Sequence, residues 1–216
     1  FDFSGMGDSG IRESYPDDVR LRELMDVARG TGLFDNGQKP AIIAHSYGGS
    51  VGLIAMEQCH EQFSQLVICD LMTLRPERLK AHFEEGGGPP GSQDPKRPNR
   101  VYPDYETAMA YHSLKEVQGG WSWKFHPSVF QRVTDISARM KAQARRIADA
   151  PGRITIVYGE QSELFDADSA DYIRESGGGH IPMIGIADAR HHLMLDQPIA
   201  FAGVLKAILA VSGKRE

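Results

Sequence analysis

Ser46 closes a short apolar run, Ala41-Ile42-Ile43-Ala44-His45-Ser46-Tyr47-Gly48-Gly49. A primary alcohol at the junction of a buried strand and a helix can attack an electrophilic carbon once a neighbouring base removes its proton. This pattern is that of a nucleophile elbow, in which a strained backbone pushes the hydroxyl clear of the sheet. Gly48, two residues on, is expected to be glycine because a side chain there would collide with the adjoining strand or helix. Ala44, two residues before, replaces the usual glycine and is the largest side chain that position tolerates. A plain strand followed by a serine-containing turn would read the same way, so the motif acquires meaning only from its context.

Two further segments supply that context. The chain opens Phe1-Asp2-Phe3-Ser4-Gly5-Met6-Gly7-Asp8-Ser9, the end of a strand breaking into a glycine-rich loop. Near the other end the apolar run Ile181 to Ile186 leads into Ala187-Asp188-Ala189-Arg190-His191-His192, and His191 stands seven residues before Pro198. In that order, an Asp-x-x-Gly-x-Gly-x-Ser loop, a small-x-Ser-x-Gly elbow and a late histidine ahead of a proline resemble the α/β-hydrolase superfamily. The resemblance covers essentially the whole chain and is weakest in the middle. It implies an α/β-hydrolase fold, a mostly parallel sheet with helices on both faces and an inserted helical cap. It also implies three or four strands, and a loop supplying half of an oxyanion hole, ahead of Asp2, so the sequence reads as amino-terminally truncated.

The same resemblance assigns roles. His191 is the base that takes the Ser46 proton and returns it to the leaving group. The backbone N–H of Tyr47 is one oxyanion donor. The acid that orients the histidine is expected after the strand ending at Tyr158, where the sequence is Gly159-Glu160-Gln161-Ser162-Glu163. The common pattern has aspartate three residues after the glycine, where Ser162 stands. Glu163 is the first choice, since its extra methylene recovers the reach lost to a one-residue shift; Asp70, Asp166 and Asp168 stay open. His192 reads as a structural neighbour and His45 as pointing away from the reaction. No metal-ligand spacing stands out among the 8 histidines, and the chemistry requires no cofactor.

The elements that must carry these groups are legible from periodicity. Asp17 to Gly32 reads as a helix with Leu21, Leu24, Met25 and Ala28 inward, and Ser50 to Cys59 as another with Val51, Ile54 and Ala55 inward and Gly48 and Gly52 permitting close contact. Buried strands are expected after Pro40, at Gln65 to Met72, at Arg153 to Tyr158 and at Ile181 to Ile186. A closing helix, Pro198 to Val211, shows a stripe of Ile199, Ala202, Leu205, Ala207, Ile208 and Leu209. Residues 1–73 and 151–216 form the expected core, and 74–150 the cap. Within the cap, Glu84 to Ser92 reads as a surface loop, and Tyr105 to Val117 and Phe130 to Ala148 as helices. Trp121, Trp123 and Phe125, between those helices, are assigned to an apolar substrate entrance.

Composition narrows the function without naming it. The 24 basic and 29 acidic residues give a net charge of −5, without the basic surplus of a nucleic-acid binder. Neither a membrane span nor a secretory signal is visible, and the default compartment is the cytoplasm. Cys59 and Cys69 both fall in apolar surroundings and are expected to be reduced, buried thiols. The combined expectation is a serine hydrolase acting on a small or medium apolar carboxylic ester, its only implied partner a small-molecule substrate. A carbon–carbon bond hydrolase of the same fold, or a non-catalytic member that binds a small ligand, remains the alternative.

Overall fold

The structure is a computed structural model that describes residues 1–84, 114–126, 129 and 142–212. The described elements, in chain order, are α1 (Asp17–Gly30), β1 (Ala41–His45), α2 (Tyr47–Cys59), β2 (Gln65–Cys69), α3 (Pro76–Glu84), β3 (Leu114–Val117), β4 (Gly120–Trp123), α4 (Gln143–Asp149), β5 (Ile154–Gly159), α5 (Ala167–Ile173), β6 (Met183–Ile186), α6 (Leu193–Asp196) and α7 (Pro198–Ser212). They fall into two compact units, one of residues 28–80 and 138–216, the other of residues 1–27 and 81–137.

The first unit is built on a four-stranded parallel sheet in the order β1-β2-β5-β6. All five residues of β2 are buried, as expected of an apolar strand covered on both faces. Among the described strands β1 stands at one end of this order, and its Ile43 is 45% exposed. The register pairs His45 with Cys69, Cys69 with Val157, and Gly159 with Ile186. In a parallel sheet the residues that follow each strand therefore emerge along one edge. Ser46, Asp70, Glu160 and the segment after Ile186 are brought together there, although the sequence separates them widely.

Helix α2 leaves β1 at Ser46 and buries Gly49, Val51, Gly52, Leu53, Ile54, Ala55 and Met56. The close approach of helix to sheet falls at Gly52, where a methyl group would lie 2.6 Å from Leu66 Cδ1 and 3.4 Å from Ala44 Cβ. The sequence reading places close contact at both Gly48 and Gly52, and the structure bears it out at Gly52 only, since a methyl group at Gly48 would meet Ala44 Cβ at an ordinary 3.9 Å. Gly52→Ala is accordingly expected to lower stability by about 1–3 kcal/mol through overpacking. Gly48→Ala is expected to change it by less than about 1 kcal/mol. Urea denaturation of both variants checks the contrast, and equal losses would contradict it.

Helix α7 docks through Phe201, Val204, Leu205 and Ile208 on a buried cluster of Val67, Cys69, Val157, Ile186, Ala189 and Leu193. The inward face runs i, i+3, i+4, i+7 from Phe201. Ile199, assigned to that face from the sequence, lies two residues off its phase and is 89% exposed. Cys69 is fully buried, and burial, with the adjacent Asp70 charge, pushes its thiol up to about 12. Cys59 is half-buried rather than buried.

In the second unit, the glycine-rich loop at the start closes on itself. Gly5 N–H donates to Gly10 O at 2.8 Å, Asp8 N–H to the Asp2 carboxylate at 3.2 Å, and the Ser9 hydroxyl to Asp2 O at 2.6 Å. Arg20, 1% exposed, fastens the loop by donating to Ser4 O at 2.8 Å and pairing with Glu23 at 3.0 Å. Leu114 to Val117, expected as the end of a helix, is strand β3 and pairs antiparallel with β4. Gly119 and Gly120, with φ of 90° and 143°, permit the tight reversal that turns the segment into a hairpin. Residues 105–113, 130–141 and most of the loop expected at 84–92 lie outside the described residues. Among the described residues no helix is long and apolar enough to cross a membrane.

Candidate active site

Ser46 has φ 53° and ψ −123°, a backbone conformation that only glycine adopts without cost. Its N–H continues the β1 ladder by donating to Cys69 O at 3.0 Å, and its C=O accepts from Gly49 N–H at 2.8 Å as α2 begins. Strand and helix thus hold the residue from both sides and oppose relaxation of the strain. The side chain lies at the C-terminal edge of the sheet and at the N-terminal end of α2. That end carries partial positive charge, because the first N–H groups of a helix have no intrahelical acceptor.

His191 follows β6, and its Nε2 is 3.0 Å from Ser46 Oγ. Its Nδ1 is 2.8 Å from Asp70 Oδ1, so Nδ1–H donates to the carboxylate and Nε2 is left to accept the serine proton. Asp70 follows β2 directly, has φ 49° and is fully buried. A buried carboxylate requires partners, and three donors meet this one. Besides His191, the Ser162 hydroxyl donates to Oδ1 at 2.7 Å and Gly159 N–H donates to Oδ2 at 2.9 Å.

The carboxylate on the histidine is therefore that of Asp70, and not that of Glu163. Glu163 is exposed and lies one residue beyond Ser162, whose hydroxyl fills the place expected of the acid. Asp166 caps α5 by accepting from Ser169 N–H at 3.0 Å, and Asp168 pairs with Arg75 at 2.8 Å. Arg75 also reaches Glu175 at 2.8 Å, and Arg78 reaches Asp166 at 2.9 Å. These pairs, with Thr73 N–H donating to Leu164 O at 3.2 Å, tie the segment after Asp70 to the segment after β5. They fix the corner on which the Asp70 side chain depends.

Gly159 is constrained twice. Its N–H holds Asp70, and a methyl group at its Cα would overlap the carbonyl oxygens of Ala189 and Arg190. Gly159→Ala should displace the loop that carries His191 and reduce both activity and thermal stability. Retention of wild-type values for both would contradict this packing account.

His45 does not point away. Its Nε2–H donates to His191 O at 2.8 Å and its ring centroid is 4.6 Å from that of His191. His192 completes the group, 5.4 Å from the His45 ring and 5.0 Å from the His191 ring. One nitrogen from each of the three rings lies within 4.8 Å of the others. The sequence hides this cluster, because His45 and His191 are 146 residues apart.

Burial holds the pKa of His45 below its ordinary 6.5, against the pull of the His191 carbonyl, and burial followed by the His191 charge lowers that of His192. A histidine whose folded pKa is depressed lets the unfolded chain take up the proton first. Its contribution is complete above the ordinary histidine range and is lost as pH falls through about 6.5. The thermal midpoint is expected to decline between about pH 7 and 5, and His192→Gln should flatten that decline. The carboxylates of Asp168 and Glu175, lowered chiefly by hydrogen bonds from Arg75, add a separate loss at more acidic pH. A pH–midpoint curve for H192Q that superimposes on the wild type in the upper window would contradict this assignment.

Trp121, Trp123 and Phe125 belong to the unit of residues 1–27 and 81–137. Trp123 and Phe125 stack at 5.8 Å and line a groove with Gly5, Gly7 and His126.

The parallel sheet, the strained serine between strand and helix, and the histidine that meets it define an α/β protein with a hydrolase-like constellation. A family model described as the alpha/beta hydrolase family matches residues 1–204, and the chain belongs to that family. No curated protein matches the chain. Among solved structures it is similar to an E-2-(acetamidomethylene)succinate hydrolase, at 15% identity over 97% of this chain and 80% of that one, with a TM-score of 0.72. It is also similar to the M. tuberculosis esterase Rv0045c, at 20% identity over 97% and 75% of the two chains, with a TM-score of 0.67. A thioesterase domain from the curacin biosynthetic pathway matches at 17% identity over 94% and 77%, with a TM-score of 0.64. At these identities the likeness concerns the fold.

Proposed function

We propose that the protein is a serine hydrolase that cleaves a small or medium apolar carboxylic ester through an acyl-serine intermediate. The observation that carries this reading is the hydrogen-bonded series in which Ser46 Oγ meets His191 Nε2 at 3.0 Å and His191 Nδ1 meets Asp70 at 2.8 Å. Ser46 attacks the ester carbonyl as His191 takes its proton. Asp70 holds the imidazole in the required tautomer and stabilises the imidazolium. The tetrahedral oxyanion is met by the N–H of Tyr47 at the start of α2, an interaction worth about 3 kcal/mol per donor. Collapse expels the alcohol, protonated by His191, and water activated by the same imidazole releases the acid. Trp121, Trp123 and Phe125 enter this reading as apolar substrate contacts on the strength of their residue types alone.

The reading is tested with p-nitrophenyl acetate, butyrate and octanoate. The expected result is a burst of about one equivalent of p-nitrophenol per protein followed by slower turnover, the kinetic mark of acyl-enzyme formation. Absence of turnover with all three esters, alongside cleavage of an activated diketone, would transfer the proposal to carbon–carbon bond hydrolysis.

A further inference from the structure

We infer that His45, His191 and His192 together form a binding site for a zinc-like transition-metal dication, and that its occupation arrests the hydrolase by engaging His191. Three imidazoles that each present one nitrogen within 4.8 Å of the others form a donor set suited to zinc, copper or nickel and unsuited to magnesium or calcium. A tetrahedral zinc ion with Zn–N bonds of about 2.0–2.1 Å holds its donors about 3.4 Å apart. Reaching that spacing from within 4.8 Å requires the rings to rotate toward the ion, and a tetrahedral ion held by three imidazoles would keep a fourth position for water.

A second feature is independent of proximity. Metal-binding histidines characteristically donate their other ring N–H to a carboxylate or a backbone carbonyl, which fixes the tautomer and turns the lone pair toward the metal. Two of these three rings already do so. His191 Nδ1–H donates to Asp70 at 2.8 Å, and His45 Nε2–H donates to His191 O at 2.8 Å. The nitrogens left with lone pairs are Nε2 of His191 and Nδ1 of His45. The lone pair on His191 Nε2 is also the one that accepts from Ser46 at 3.0 Å. A metal ion and the serine proton therefore compete for a single electron pair, and metal binding leaves Ser46 without its base. The arrest rests on the serine-hydrolase reading, whereas the binding does not.

The test is calorimetric titration of Zn²⁺, with Mg²⁺ as control, into the whole chain at neutral pH in a non-chelating buffer. Parallel assays follow p-nitrophenyl butyrate turnover with Zn²⁺ added and then removed by EDTA. Wild type is expected to bind one equivalent of Zn²⁺ and no Mg²⁺, and Ser46→Ala to bind Zn²⁺ with wild-type affinity. His192→Gln should bind at least about tenfold more weakly. It should also turn over ester normally without metal and need at least about tenfold more Zn²⁺ for half-inhibition. Should H192Q fail to fold, the imidazole NMR signals of the wild type decide, since Zn²⁺ is expected to shift those of His45, His191 and His192 and not the others. No saturable binding, equal affinity for wild type and H192Q, or shifts at other histidines would overturn the site. Binding with undiminished turnover would overturn the arrest alone. Binding in a protein that turns over no ester would remove the arrest and the hydrolase reading together while leaving the site intact.

Discussion

Ser46→Ala is expected to lower turnover of an activated ester roughly 10⁶-fold, the scale of loss when a triad nucleophile is removed, with little change in fold. Among the described residues the hydroxyl is hydrogen-bonded to His191 Nε2, and the backbone that strains this residue is unchanged by the substitution. Ser46→Gly separates chemistry from strain. At φ 53° and ψ −123° glycine is relaxed where serine is not, and backbone strain of this kind costs of order 1–3 kcal/mol. S46G should therefore be as inactive as S46A and more stable than it in urea by about 1 kcal/mol or more. A glycine variant no more stable than the alanine variant would mean that the elbow stores no strain. An alanine variant with wild-type turnover would mean that the reaction does not pass through this alcohol.

Asp70→Asn is expected to cost roughly 10³- to 10⁴-fold in kcat, since an amide in place of the carboxylate can no longer hold Nδ1 protonated and stabilise the imidazolium. Glu163→Gln is expected to leave kcat within about twofold, because Glu163 is exposed and the His191 ring is hydrogen-bonded to Asp70. Ser162→Ala lies between the two, since it deprives Asp70 of one of three donors without touching His191. The ranking of these variants identifies the acid. A large loss in E163Q with a small one in D70N would reverse the assignment.

The contrast between Asp70 and Glu163 marks how far the sequence could be read. The strands at Gln65 and Ile154 announce themselves as apolar runs, and the elbow and the late histidine as spaced motifs. Which carboxylate reaches His191 depends on the lateral register of β2 against β5, with Cys69 beside Val157, and linear spacing does not contain that. Ser162 was visible as a departure from the family pattern; its hydroxyl instead supports an acid supplied from the end of β2. Gly48 and Gly52 were both visible as small residues in α2, but only the packing of Leu66 shows which of them carries the steric constraint. Leu114 to Val117 fits a helix as well as a strand because its four residues are of mixed polarity, and the decision lies in Gly119 at the turn and Gly120 at the start of β4. His45 fills a position of the elbow motif that any residue can occupy, and the carbonyl it serves becomes its neighbour only in the folded chain.

The central claim is that the Ser46 hydroxyl is activated by His191. Its most direct measurement is intact-mass and peptide mapping of the protein after brief exposure to a fluorophosphonate. One covalent adduct on Ser46 is predicted in the wild type, with none in Ser46→Ala and only slow formation in His191→Ala. A wild-type protein that stays unlabelled, or one labelled equally fast when His191 is absent, would contradict the claim.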